Sequence, residues 1–210
     1  MVKYNRYKNG SLIRNFHFMS WILIGVIAVV AIYTISIYNG LVKLVQRAKE
    51  AWADIDVQLK RRYDLIPNLV EAVKGYASHE RGTFDEVTAA RSAATQIHVD
   101  PTNITPEQIK AMAGAEQALG ASLGKLLAIA EAYPDLKASQ NFSQLQTELS
   151  DTENKIQAAR RFYNGNVRDL IIMIQSFPSN LIANMFAFKP MEYFELEQDS
   201  EQREPVKVTF

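Results

Sequence analysis

No charged residue falls between Arg14 and Lys43, and this gap constrains the chain more than any other feature. Its core, FMSWILIGVIAVVAIYTISIY, is almost wholly apolar. About 20 such residues, rising ~1.5 Å each, cross the ~30 Å hydrocarbon layer of a bilayer. Trp21, Tyr33 and Tyr38 stand toward the ends of the run, where amphipathic rings favour the lipid–water boundary. A cleaved signal peptide is the competing reading, but the run is long and lacks a clear small-x-small cleavage site. The expectation is a transmembrane anchor over residues 16–38, preceded by a basic segment, 1–15, with Lys3, Arg6, Lys8 and Arg14.

Basic residues flank the span on both sides, since Lys43, Arg47 and Lys49 follow it closely. The orientation favoured is an N-terminus in the cytoplasm and a domain outside the cell membrane, because large domains cross with little regard to charge. The chain balances 23 basic against 23 acidic residues, which argues against a nucleic-acid partner. It has no cysteine, which removes disulfides, thiol nucleophiles and cysteine-ligated metals.

Beyond the anchor, apolar residues recur at alternating steps of four and three: Leu41, Val45, Ala48, Trp52, Ile55, Leu59, then Ile66, Leu69, Val73 and Tyr76. That is the period of a helix in a bundle or coiled coil. Pro67 falls inside the pattern, where it removes one helical hydrogen bond and predicts a bend. Gly82 and Thr83-Phe84-Asp85-Glu86 predict a break and a new helix running to about Ile97. Thr105-Pro106-Glu107-Gln108 predicts another start, and Ile109, Met112, Glu116, Leu119 and Leu123 line the helix that follows. Gly114, Gly120 and Gly124 offer room for a close neighbour. Pro134-Asp135 reads as a turn, and a last long helix carries a seam from Phe142 to Phe177. The fold expected is all-α: one transmembrane helix, then an antiparallel up-and-down bundle over 39–177, with four helices favoured and three as the alternative.

Chemistry is harder to find. His79-Glu80 is half of a zinc-protease helix motif, but position 83 is threonine. Asp54 and Asp56 point to different faces of a helix. No convergent nucleophile, base or metal set is visible, so catalytic, cofactor and metal residues are all expected to be none. Arg62 stands out because it occupies a seam position among apolar neighbours. Either it snorkels outward along its stem, or it forms a buried ion pair that fixes register. In an antiparallel bundle its height places it near residue 154, so the partner expected is Glu153 or, one turn away, Asp151. Pro67 and Asn166 complete the residues expected to act structurally.

The segment 178–210 divides in two. Leu181, Ile182, Met185, Phe186 and Phe188 form an apolar patch that either caps the bundle or touches the membrane. An acidic stretch then leads to Val206, Val208 and Phe210, whose alternation suits addition to a partner's sheet edge, a disordered terminus being the other reading.

The run Glu50-Ala51-Trp52, then Asp54-Ile55-Asp56-Val57-Gln58-Leu59-Lys60-Arg61-Arg62-Tyr63-Asp64-Leu65-Ile66-Pro67-Asn68-Leu69, resembles the signature of the LemA family. Gly75-Tyr76, His79-Glu80, Ala159-Arg160-Arg161-Phe162-Tyr163-Asn164, Phe177-Pro178-Ser179-Asn180 and Tyr193-Phe194 resemble it too. The resemblance implies a bacterial single-pass membrane protein with a helical-bundle domain, no established catalytic residues and an accessory role in envelope maintenance. Leu170-Ile171 departs from the family pattern, which makes that end of the last helix more apolar. The partners expected are the lipid bilayer, further copies of this chain, and an envelope protein or membrane protease.

Overall fold

The computed structural model describes residues 6–101 and 103–195, with side chains from Met19 onward. Six helices account for most of them: α1 Arg6–Lys74, α2 Arg81–Gln96, α3 Pro106–Glu131, α4 Pro134–Lys137, α5 Gln140–Gln175 and α6 Ser179–Met185. There is no strand among the described residues. The fold is all-helical, with one long apolar helix at the N-terminus. At ~1.5 Å per residue, the 69 residues of α1 run about 100 Å. The described residues fall into two compact units: residues 6–43 with Met173–Lys189, and Leu44–Ile172 with residues 190–195.

In the larger unit, α1 buries Ala48, Trp52, Ile55, Leu59, Ile66, Leu69 and Val73 in one stripe. Ile109, Met112, Leu119 and Leu126 of α3 and Phe142, Ile156, Tyr163 and Val167 of α5 join the same core, with Phe84 and Val87 of α2. Full burial of each large aliphatic or aromatic side chain contributes about 1.5–3 kcal/mol, so this shared stripe dominates the stability of the unit.

Several details depart from the sequence-based expectations. The seam does not reach Tyr76, which is 47% exposed. The helix ends at Lys74, and Ala77 N–H then turns back to the Val73 carbonyl at 2.9 Å, so Ala77 becomes the buried residue. That turn is finished before Gly82. Consequently α2 opens at Arg81 rather than Thr83, and Glu80 at its N-cap makes no side-chain cap bond. The box at Thr105 is in place: Gln108 N–H donates to Thr105 Oγ1 at 3.3 Å, and Thr105 N–H donates to Gln108 Oε1 at 3.1 Å. Pro134-Asp135 starts a short helix rather than a bare turn, because Leu136 is drawn into the core. Gly114, Gly120 and Gly124 are exposed, and a Cβ added at any of them would meet nothing within 4 Å. The seam of α3 runs through Met112, Glu116 and Leu119, and no described residue approaches these glycines closely. Phe177 lies beyond the end of α5 and is 80% exposed.

The smaller unit holds the uncharged run. From Met19 to Ser36 every side chain is exposed except the half-buried Thr34. Burial begins at Ile37 and Leu41. Gly40 allows the Met173 side chain to approach, since an added Cβ would stand 2.7 Å from Met173 Cε. Ser179 fastens the start of α6, its hydroxyl lying 2.6 Å from the Met173 carbonyl oxygen and 2.9 Å from that of Ser176. Ala187 ends α6 with a positive φ of 56°. Phe188 N–H bonds the Ala183 carbonyl at 2.9 Å and Ala187 N–H bonds that of Asn184 at 3.2 Å, the paired closure of a Schellman cap. The cap turns Phe188 back toward Tyr38. Tyr38 then meets both Phe186 and Phe188 edge-on, with ring centroids 4.8 and 5.6 Å away.

Candidate functional site

Three regions stand out: a buried ionic cluster and an aromatic cluster in the larger unit, and an exposed apolar patch in the smaller one. The cluster centres on Arg62, which is only 5% exposed. One guanidinium nitrogen, Nη1, lies 2.7 Å from Glu153 Oε2, and Nη2 pairs with Glu116, itself 4% exposed. The Tyr63 hydroxyl donates to the other Glu116 oxygen. Burial pushes the Tyr63 phenol up to about 12; the Arg62 charge opposes this and Asp56 adds to it. The phenol therefore remains a proton donor to Glu116 throughout the physiological range. A groove of about 670 Å³ opens alongside, lined among others by Arg62, Glu116, Gly120, Gly124, Leu149 and Glu153.

Chemically this arrangement holds a fixed cation between two carboxylates. Guanidinium does not release its proton at accessible pH, so Arg62 offers no general base or nucleophile. What it offers is geometry. A charge buried at one height on α1 is satisfied only when α3 and α5 bring Glu116 and Glu153 to that height.

Asp151 stands elsewhere. It is exposed, accepts from Lys155 Nζ at 2.7 Å within its own helix, and that bond holds its carboxyl below the usual range. The expectation that Asp151 could serve Arg62 is therefore corrected: residue 151 faces outward while Glu153 faces the seam. Asn166 is buried and donates to the Phe162 carbonyl one turn back at 2.9 Å. That bond stays within α5 and makes no cross-link.

Pro67 lies inside α1, and its consequence is specific. Proline has no N–H, so the carbonyl four residues earlier, that of Tyr63, loses its helical donor. Arg91 of α2 supplies the replacement, donating from Nε at 2.7 Å. The break in the hydrogen-bond ladder of α1 thus becomes the point where α2 is tied to it.

A third constellation pins the stretch that follows α6 in sequence. Trp52 packs edge-on against Tyr163 and Phe194, at 5.4 and 5.2 Å between centroids. Asn164 grips the Phe194 backbone twice: its Oδ1 accepts from the N–H at 2.9 Å, and its Nδ2 donates to the carbonyl at 3.1 Å. Tyr163 donates to the Glu192 carbonyl at 2.9 Å, and burial raises its phenol far above the usual range. Arg160 lies over the Phe194 ring at 5.4 Å.

In the smaller unit, Leu181, Met185 and Phe186 are 58%, 63% and 50% exposed, Ile182 and Phe188 half-buried. Val206, Val208 and Phe210 lie outside the described residues.

Sequence reasoning assigned no role to Glu116, Tyr63 or Arg91. Glu116 had a signal, because it is an acid at a seam position between Met112 and Leu119, the counterpart of Arg62 on another helix. Arg91 had half of one: Pro67 demands a donor for the Tyr63 carbonyl, but nothing in one sequence says which side chain reaches it.

Comparison with known proteins agrees with the resemblance. A family model described as the LemA family matches residues 51–210. Magnetosome protein MamQ of Magnetospirillum gryphiswaldense is 27% identical over 190 residues, covering 81% of this chain and 70% of that protein. Magnetosome protein MamQ 2 of Paramagnetospirillum magneticum is 27% identical over 192 residues, 82% of this chain and 71% of that protein. Protein LemA of Metamycoplasma hominis is 28% identical over 170 residues, 78% of this chain and 74% of that protein.

Proposed function

Since the chain belongs to the LemA family, we propose that it is a non-enzymatic, single-pass scaffold or adaptor of the bacterial envelope, acting through protein–protein contacts. The observation that carries this reading is the exposed run from Met19 to Ser36. One helix among the described residues is long and apolar enough to cross a membrane, and none of its apolar window is buried. Such a surface needs lipid around it. The anchor is residues 16–38, the bundle 39–177 and the apolar segment and tail 178–210. The bundle is antiparallel, with α1, α2, α3 and α5 as its four members. In support, Trp52 meets Tyr163 while Arg62 meets Glu153, so a step of ten up α1 is a step of ten down α5. The charged groups of the core are committed to one another in the Arg62 cluster, which favours a structural over a catalytic role. Relatives named as magnetosome proteins and as LemA fit the same role.

The N-terminus lies in the cytoplasm and the bundle outside the inner membrane. The exposed Asp151, changed to cysteine in this cysteine-free chain, tests that orientation with an impermeant thiol reagent on intact cells. Labelling only after lysis would reverse it.

A second reading, self-assembly into a large homo-oligomer on the bilayer, draws on the open face of α3 at Gly114, Gly120 and Gly124. One experiment separates the two. The full chain is extracted from its own membranes in mild detergent, and the mass and composition of the intact particle are measured. A second protein at fixed stoichiometry supports the adaptor. A large particle of this chain alone supports the assembly, and a lone monomer defeats both.

A further inference from the structure

Helix α6 is held firmly at both ends, yet its outer face is bare. The Ser179 hydroxyl fixes its first turn to the carbonyls of Met173 and Ser176. The Schellman cap at Ala187 fixes its last turn and sends Phe188 back onto Tyr38. Such fastening serves no evident purpose for a surface patch in water, because Phe177, Leu181, Met185 and Phe186 remain 80%, 58%, 63% and 50% exposed. Single exposed apolar residues are ordinary, but four large ones held together in so short a segment mark an interaction surface.

We propose that α6 lies in the headgroup layer of the bilayer, as an in-plane element whose outer face is covered by phospholipid. The inference rests on the reading of the uncharged run as a membrane span, and adds a second membrane-binding element to it. Three observations select lipid over other occupants. First, Phe186 meets the Tyr38 ring at 4.8 Å, and Tyr38 closes the apolar run, where Ile35 and Tyr33 are 59% and 54% exposed. The bare face of α6 therefore continues the surface that lipid must already cover. Second, the depth is right, because tyrosine at the end of a span marks the headgroup boundary. Third, Lys43 and Lys189 are exposed in the same unit, and their cations suit lipid phosphates at that boundary. A second copy is the poorer fit. A specific protein interface needs about 800 Å² per partner, more than a helix of seven residues presents alone.

The chain has no cysteine, so a nitroxide can be placed at one chosen position. Leu181→Cys and Met185→Cys are labelled in the full chain and reconstituted into phosphatidylcholine–phosphatidylglycerol vesicles. Val26→Cys serves as the mid-span control and Asp151→Cys as the water-exposed control. Collision rates with dissolved oxygen and with a water-soluble nickel chelate give the depth of each label. The proposal expects labels at 181 and 185 to favour oxygen several-fold over the label at 151, yet to lie shallower than the label at 26. Labels at 181 and 185 that match 151, while 26 reports lipid, overturn the proposal and leave the anchor standing. A label at 26 that also reports water overturns the anchor itself. Labels at 181 and 185 shielded from both reagents and broadened by one another would assign the face to a second copy, which equally defeats the lipid assignment.

Discussion

Two stretches of α1 draw on the same kinds of apolar residue and meet opposite surroundings. Between Met19 and Ser36 the apolar residues fill nearly every position and stay exposed, Ile27 and Ile35 each at 59%. Between Ala48 and Val73 most recur at every third or fourth position and are buried, Ile55 at 0% and Leu59 at 1%, while Val57, off that stripe, is 61% exposed. Content and period both separate the two stretches. A helix apolar all round has no polar side to offer water, so it needs lipid or other protein around it. A helix apolar along one stripe needs other helices of its own chain and leaves its opposite face for water. Charge follows the same division. The first stretch carries none, and the second carries charges freely on its outer face but only Arg62 within its stripe.

That single inward charge is where the comparison is easiest to break. If the stripe tolerates Arg62 only because carboxylates meet it, Arg62→Met should leave Glu116 buried without its cation. Stability should fall by about 3–5 kcal/mol, the usual consequence of removing one partner of a buried pair. Arg62→Met combined with Glu116→Leu should recover most of the loss, since an apolar replacement of the whole pair is often neutral or stabilising. Urea unfolding of the full chain in detergent reads both, with Trp21→Phe leaving the buried Trp52 as sole reporter. A single variant that loses less than ~1 kcal/mol would mean that Glu116 finds another partner or a proton.

The same cluster shows what a sequence makes legible. Arg62 could be found because a charge at a seam position breaks a strong pattern. A residue near 154 follows from counting equal heights along two helices, and Glu153 lies there. Asp151, the alternative one turn from that height, is set apart by facing, because residues two apart on a helix do not share a face. Glu116 was visible as an anomaly, but joining it to Arg62 requires knowing which three helices share a level. The closure of α6 left still less trace. Its left-handed residue is alanine, where a glycine would have announced the turn, and its aromatic contacts reach across more than a hundred residues to Tyr38. Long, periodic elements are therefore readable, and contacts between distant segments are readable only where a broken pattern, as at Arg62, fixes the register.

The hydrogen-bond ladder of the buried stretch gives the next test. Arg91→Ala should remove the donor that serves the Tyr63 carbonyl, at about 1.5–3 kcal/mol for a charged donor to a buried acceptor. Pro67→Ala restores an N–H four residues beyond that carbonyl, so in that background Arg91→Ala should be much less harmful. A double-mutant cycle on the same urea curves measures the coupling. Coupling below ~0.5 kcal/mol would mean that Arg91 and Pro67 act independently and that the carbonyl draws on another donor.

The smallest expected effect lies in the unit that holds the exposed stretch. Ala187 adopts the left-handed conformation, which disfavours any residue with a Cβ by about 1–2 kcal/mol. Ala187→Gly removes that strain. It also frees the unfolded chain, which returns roughly 0.5–1 kcal/mol of the gain. The net should stabilise the cap by up to about 1 kcal/mol, equivalent to roughly fivefold slower opening. Amide exchange of Phe188, whose N–H closes the cap on the Ala183 carbonyl, reports this directly in the full chain. Slower exchange confined to residues near 187 would show that α6 is limited by its own backbone, whatever surrounds it. Unchanged exchange would mean that its surroundings already hold it shut, with strain at Ala187 irrelevant to opening. The two stretches of α1 would then differ in a further respect: the buried one stabilised by its own chain, the exposed one and α6 by what lies outside it.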